Sequence, residues 1–216
     1  MKMLILSAKS YTPQGPNYGD CILIDTGSAL VVYDCGCEEH AQRVEAYMST
    51  NGYSKSIVVL SHNDADHFEG IPYLVEKGLV SKVYTQLFLK HKEDILELLD
   101  DGRATDHSIG ERIKKVYDNI ASLSKRVTLV DALTAGEIVP GVTIVGPTED
   151  YALDTIRKAL DSNESDRIDA ETVINAASIQ VSVDFNQTQC LLCGDASFEA
   201  IKDKREDYML IQLPHH

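Results

Sequence analysis

The run Ile57-Val58-Val59-Leu60 passes directly into Ser61-His62-Asn63-Asp64-Ala65-Asp66-His67. No other stretch limits the fold as strongly. A short apolar run rich in β-branched residues predicts a strand covered on both faces, which requires packed layers on either side of it. The rim at the carboxyl ends of such strands is where layered α/β proteins form their sites. Imidazole and carboxylate are the ligand types that hold zinc, manganese or iron. His62 and Asp64 are two apart, so in extended backbone both project to one side. Asp66 and His67 follow the turn and can face a second point, so one short loop can serve two ions. An ordinary polar loop is rich in Asp and Asn, but it does not interleave two histidines with two aspartates directly after a buried strand.

Two later segments fit the same chemistry. Leu191-Leu192-Cys193-Gly194-Asp195 puts a carboxylate just past an apolar strand, with a glycine that permits close backbone approach. Leu213-Pro214-His215-His216 puts two histidines past another.

The rest of the chain supplies the layers. Strands are expected at Met3–Ser7, Cys21–Asp25 and Ala29–Tyr33, the last two joined by a turn at Thr26-Gly27-Ser28. Ala41, Val44 and Met48 predict a helix from Glu38 to about Thr50, stopped by Asn51-Gly52. Helices are expected over Phe68–Lys77 and over Ser108 to about Ser124, and from an N-cap at Thr148 to about Leu160. Further strands are expected at Lys82–Thr85, Val127–Val130 and Val142–Val145. A hairpin of Ala177–Asp184 with Gln189–Cys193 should turn near Asn186. Asp161–Glu171 is a polar loop, Ser197–Asp203 a short helix and Met209–Leu213 a last strand. Two groups of strands, each with helices and without strict alternation, imply two packed sheets under outer helices, an α/β layered arrangement in one domain over residues 1–216. No Gly-rich phosphate loop appears, which removes the usual nucleotide-binding classes.

The chain carries 20 Lys and Arg against 34 Asp and Glu, a net charge of −14. That excludes broad binding of a phosphate backbone through a basic surface. It does not exclude a nuclease, because bound cations reverse the local field. No apolar run approaches a membrane span and no export signal is visible, so a cytoplasmic protein without a membrane partner is expected. The five cysteines are an odd number, which argues against a disulfide framework. Cys190 and Cys193, three apart in a strand, should point to opposite faces and so cannot share an ion. His40 and His91 are expected on exposed helix faces, and His107 near a helix cap.

The pattern HNDADH after an apolar strand, then CGD, then LPHH, resembles the metallo-β-lactamase superfamily. Together with YGDCILID, VVYDCG, VTIVGP and SIQVSVDF, it is most similar to the soluble hydrolase domain of ComEC-type competence proteins, from about Gly19 onward. The resemblance implies an αββα sandwich of two mixed sheets. It implies that His62 and Asp64 bind one metal, that Asp66 and His67 bind a second, and that Asp195 bridges both. His216, or else His215, would complete the second position. Asp34 would orient the metal loop, or else simply close a turn at its strand end. Relatives often supply a further histidine to the first metal from a strand before the Gly-Asp segment. None exists here between His107 and His215, and Asn175 stands near the expected place as a weak substitute. The resulting oxygen-rich set suits manganese or magnesium about as well as zinc. Relatives also continue past the final motif with a helix, so the domain is expected to lack its C-terminal end.

The expected function is therefore that of a hydrolase using a hydroxide bound to one or two divalent ions, with Asp66 and Asp195 carrying the chemistry. The resemblance points to a phosphodiesterase or nuclease, and the acidic charge to a small phosphodiester or a single-stranded nucleic acid. The same site could serve a lactone, thioester or amide hydrolase, and a metal-poor version could be a binding module.

Overall fold

The computed structural model describes residues 1–6, 19–91, 93–95, 118–160, 167–168, 171–185 and 188–213. Two mixed sheets face each other. The first runs β1 (Lys2–Ile5), β2 (Ile22–Asp25), β3 (Leu30–Tyr33), β4 (Ser56–Val59), β5 (Val80–Thr85) and β6 (Thr128–Asp131) in that spatial order. Its β1, β2 and β3 pair antiparallel, whereas β3 through β6 are parallel. The second is ordered β13 (Leu210–Ile211), β12 (Gln189–Leu192), β11 (Gln180–Asp184), β8 (Val142–Gly146) and β7 (Glu137–Val139), antiparallel except for β12 and β13. A small ribbon pairs β9 (Arg167–Ile168) with β10 (Glu171–Thr172).

Alternation along each strand builds the layers. Ile22, Ile24, Val31, Tyr33 and Val59 point between the sheets, where they meet Val142, Ile144, Val181, Val183, Cys190 and Leu192. Leu23, Leu30, Val32, Val58 and Leu60 point the other way. There they meet Ala41, Val44 and Met48 of α1 (Glu38–Asn51), Ile71 and Leu74 of α3 (Ile71–Glu76), and Ala152 and Ile156 of α4 (Glu149–Leu160). Leu191 and Cys193 pack outward against Ile201 of α6 (Phe198–Ile201). Cys190 and Cys193 thus lie on opposite faces, and all five thiols are free and buried. Among the described residues, no helix is long and apolar enough to cross a membrane.

Four expectations need correction. The segment Asp161–Glu171, expected as a loop, holds β9 and the start of β10, because the two short strands pair with each other. The helix expected over Phe68–Lys77 is two pieces, a single turn α2 (Ala65–Phe68) and α3, broken at Gly70. A side chain at Gly70 would meet the Cys35 sulfur and the Cys37 carbonyl, so the chain bends there and brings the Ser61–Phe68 loop against β3. His40 is fully buried rather than exposed, and burial, with Arg43 adding to it, holds its imidazole below the ordinary value. His91 is also buried, with Nε2 2.7 Å from Asp131 and Nδ1 3.1 Å from Glu149, which pins the turn after β5 to β6 and α4. The helix expected at Ser108–Ser124 lies mostly outside the described residues, although 118–123 are helical. His107, Asn186, His215 and His216 lie outside them as well.

Candidate metal centre

The parallel strands of the first sheet end on one rim, and Ser61–Phe68 lies across it. β4 runs on into Ser61 and His62 just past its end, and α2 then lifts Asp66 and His67 by one turn, with Asp64 at its N-cap. β12 of the second sheet ends beside this loop and delivers Asp195. The sheets are stitched together here, because Ile179 N–H donates to the Ser61 carbonyl at 2.9 Å and the Tyr33 hydroxyl donates to the Ile179 carbonyl at 2.7 Å.

Two glycines make the approach possible. Gly194 has φ +53, and a side chain there would come within 2.7 Å of Ser61. Gly19 has φ +56, and a side chain there would collide with the Asp66 carbonyl. Only glycine adopts this backbone readily and leaves the space empty.

His62, His67 and Asp195 are buried and offer ligand atoms that all lie within 4.8 Å of one another. The two imidazole centroids are 4.2 Å apart. Asp195 faces one imidazole with each oxygen: Oδ2 is 3.8 Å from His62 Nε2, and Oδ1 is 3.6 Å from His67 Nε2. These separations are too long for hydrogen bonds. They match the edge of a coordination tetrahedron, about 3.4 Å for metal–ligand bonds of about 2.1 Å. The donor set and its spacing therefore fit divalent metal. Asp64 Oδ2 also lies 3.8 Å from His62 Nε2, on the side of Asp195 Oδ2. Asp66 is half-buried and stands outside the trio of His62, His67 and Asp195, but its charge bears on Asp64.

Asp34 is fully buried beneath this group, with φ +57, a left-handed conformation that Asp tolerates. It accepts from Ser61 N–H at 2.7 Å and Ser61 Oγ at 2.7 Å, and its Oδ2 lies 2.8 Å from His67 Nδ1. The partner of Nδ1 turns the Nε2 edge toward Asp195. Asn175 sits in the turn α5 (Val173–Ala176). Thr172 Oγ1 donates to its Oδ1, and its Nδ2 donates to Asp195 Oδ2 at 3.4 Å. The amide thus presents its donor side to the carboxylates and also steadies Asp64.

The electrostatics call for a cation. Burial raises the Asp64 carboxyl above its ordinary value, the Asp66 charge raises it further, and the Asn175 bond only partly opposes them. Burial pushes the His67 imidazole down. The Asp34 charge, its hydrogen bond with Nδ1 and the Asp195 charge outweigh it and lift the value to about 11. A divalent ion between these carboxylates would offset their charge more strongly than a proton on His67.

Neither Ser61 nor Ser178 stands out as a site residue in the sequence. Ser61 precedes the first histidine and Ser178 opens the SIQVSVDF segment, but serine is too common near loops for either to stand out without the fold. Asn119, from the helical stretch 118–123, donates to the Asn63 carbonyl at 3.1 Å and holds the loop from above.

The sequence model of a family described as the Metallo-beta-lactamase superfamily matches residues 14–216. No curated protein matches the chain in sequence. Among solved structures, a protein of the metallo-beta-lactamase type from Thermotoga maritima superposes with a TM-score of 0.52 at 16% identity, covering 99% of this chain and 96% of its own. The metallo-beta-lactamase fold protein YhfI from Bacillus subtilis gives a TM-score of 0.48 at 12% identity, and the match covers 89% of this chain and 61% of that one. The Thermotoga likeness is one of fold.

Proposed function

Because the chain belongs to the metallo-beta-lactamase superfamily, we propose that it is a metal-dependent hydrolase whose centre is assembled from His62, Asp64, Asp66, His67 and Asp195. The observation that carries the reading is the placement of Asp195, which offers one carboxylate oxygen to each of two buried imidazoles at 3.8 and 3.6 Å. His62 and Asp64 would hold one ion and His67 with Asp66 the other, with His216 or His215 completing the second position. A divalent cation bound there supplies Lewis acidity, lowering the pKa of water to about 7 and stabilising the charge that develops on the attacked group. Asp34 keeps the His67 ring aligned through Nδ1, and Asn175 turns its donor side to Asp64 and Asp195. Without a second imidazole, the first position is rich in oxygen, which suits manganese or magnesium as well as zinc.

We propose a phosphodiester as the substrate class. Its support is the likeness of YGDCILID, HNDADH, CGD and LPHH to ComEC-type hydrolase domains, and the suitability of a bridged pair of ions for in-line attack at phosphorus. The net charge of −14 favours a small or single-stranded substrate.

The test is turnover of a chromogenic phosphodiester and of single-stranded DNA with manganese, magnesium or zinc. Asp66→Ala and His67→Ala should abolish it. Metal-dependent turnover of lactones or carboxyl esters instead would move the substrate class and leave the centre standing. A purified protein with no affinity for any of these ions would end the whole reading.

A further inference from the structure

Ser178 is fully buried in the turn between α5 and β11. Three groups meet its hydroxyl. Oγ donates to the Asn175 carbonyl at 2.7 Å, accepts from the Asp195 backbone N–H at 3.2 Å, and lies 3.1 Å from His62 Nδ1. A hydroxyl has one proton and two lone pairs. The carbonyl can only accept, so it takes the proton. The backbone N–H can only donate, so it takes one lone pair. The lone pair that remains faces His62 Nδ1, which must therefore carry hydrogen.

Ser61 imposes the same condition independently. Its Oγ donates to Asp34 Oδ2 at 2.7 Å, which leaves a lone pair toward His62 Nδ1 at 3.0 Å. Both hydroxyls next to Nδ1 have thus committed their protons elsewhere. The other nitrogen, Nε2, is the one aimed at Asp64 and Asp195.

We infer that Ser178 is a positioning residue that holds His62 with its proton on Nδ1 and its Nε2 toward the metal, while clamping the Asp195 backbone to the same hydroxyl. The inference rests on the proposed metal centre. It deepens that reading by giving one side chain control over a ligand from each sheet, His62 after β4 and Asp195 after β12. A ligating histidine usually gives its second N–H to a carboxylate, a carbonyl or water. His67 follows that habit with Asp34, whereas His62 relies on two hydroxyls whose own partners decide the direction of every proton.

The experiment is a zinc and cadmium titration of the wild-type chain, Ser178→Ala and Ser178→Thr, with heteronuclear NMR of histidine-labelled wild type loaded with NMR-active cadmium. Ser178→Ala should weaken one metal by about 10- to 100-fold, and Ser178→Thr, which keeps the hydroxyl, should recover most of the loss. The wild-type spectrum should show cadmium coupled to His62 Nε2 and a retained proton on Nδ1. Coupling through Nδ1, or an unchanged affinity in Ser178→Ala, overturns the inference while leaving the metal centre intact. A wild type that binds neither ion overturns both. Should Ser178→Ala fail to fold, the wild-type spectrum decides alone.

Discussion

Asp25 and Asp34 belong to the two arms of one hairpin and stand at opposite rims of the same sheet. Both are buried carboxylates that accept several hydrogen bonds. Asp25 accepts from the Tyr47 and Tyr53 hydroxyls at 2.6 Å each and from Gly27 N–H at 2.7 Å. Among the described residues, those donors pass on to no site of the kind that His67 faces. Burial pushes the Asp25 carboxyl up, but the two phenols and the Gly27 N–H outweigh it and hold the value below the ordinary one. Asp34 accepts from Ser61 and faces His67, and His67 passes on to Asp195. A buried carboxylate is structural when its partners close the network, and functional when one of them is titratable and faces a cleft.

The largest effects should separate these two residues. Asp34→Ala leaves the Ser61 N–H and the His67 ring without their acceptor and should cost about 3–5 kcal/mol of stability, with metal binding lost. Asp25→Ala should cost about 1–3 kcal/mol and leave metal binding intact. Denaturant unfolding and metal titration of both variants check this, and an Asp34→Ala protein that still loads metal normally would break the comparison.

Glycines at the two rims give an intermediate effect. Gly52 closes α1 beside the Asp25 rim with φ +77 and open space around it. Gly194 has φ +53 and Ser61 within 2.7 Å of where a side chain would begin. Gly52→Ala should cost only the left-handed backbone penalty, about 1–2 kcal/mol. Gly194→Ala should exceed it and also reduce metal affinity, because Ser61 must move. Equal losses in thermal unfolding would remove the special role assigned to close approach at the metal rim.

The dependence on pH should separate the two rims as well, because they should fail at opposite ends of the scale. His67 is raised from 6.5 to about 11 in the metal-free protein, so its contribution to stability is complete below 6.5 and is lost as pH climbs through about 11. Asp25 is lowered from 3.8, so its contribution is present above 3.8 and is lost as pH falls through its folded value. His67→Gln should flatten the alkaline limb of a stability profile, and Asp25→Asn the acid limb. Zinc titrated near neutral pH should also release a proton from His67, measurable by calorimetry in buffers of different ionisation heat.

Much of this was legible from local pattern. The strand before His62, the helix of Ala41, Val44 and Met48, and the N-cap at Thr148 all follow from spacing that a single element enforces on itself. The break at Gly70 was not legible, because its cause is the sulfur of Cys35 in a different element. The burial of His40 and His91 escaped for the same reason. Their helical surroundings look polar in sequence, and only packing against other layers covers them.

The order of residues by itself determined which groups could bind an ion, because imidazole and carboxylate identity and spacing after a buried strand are local facts. Tertiary structure decided which of them meet: Asp195 is 128 to 133 positions from the histidines it faces, and only the stacking of two sheets brings it there. It also decided the protons. A hydroxyl such as Ser178 acquires a direction only once its partners from other strands are in place, since one proton and two lone pairs are assigned by whatever surrounds them.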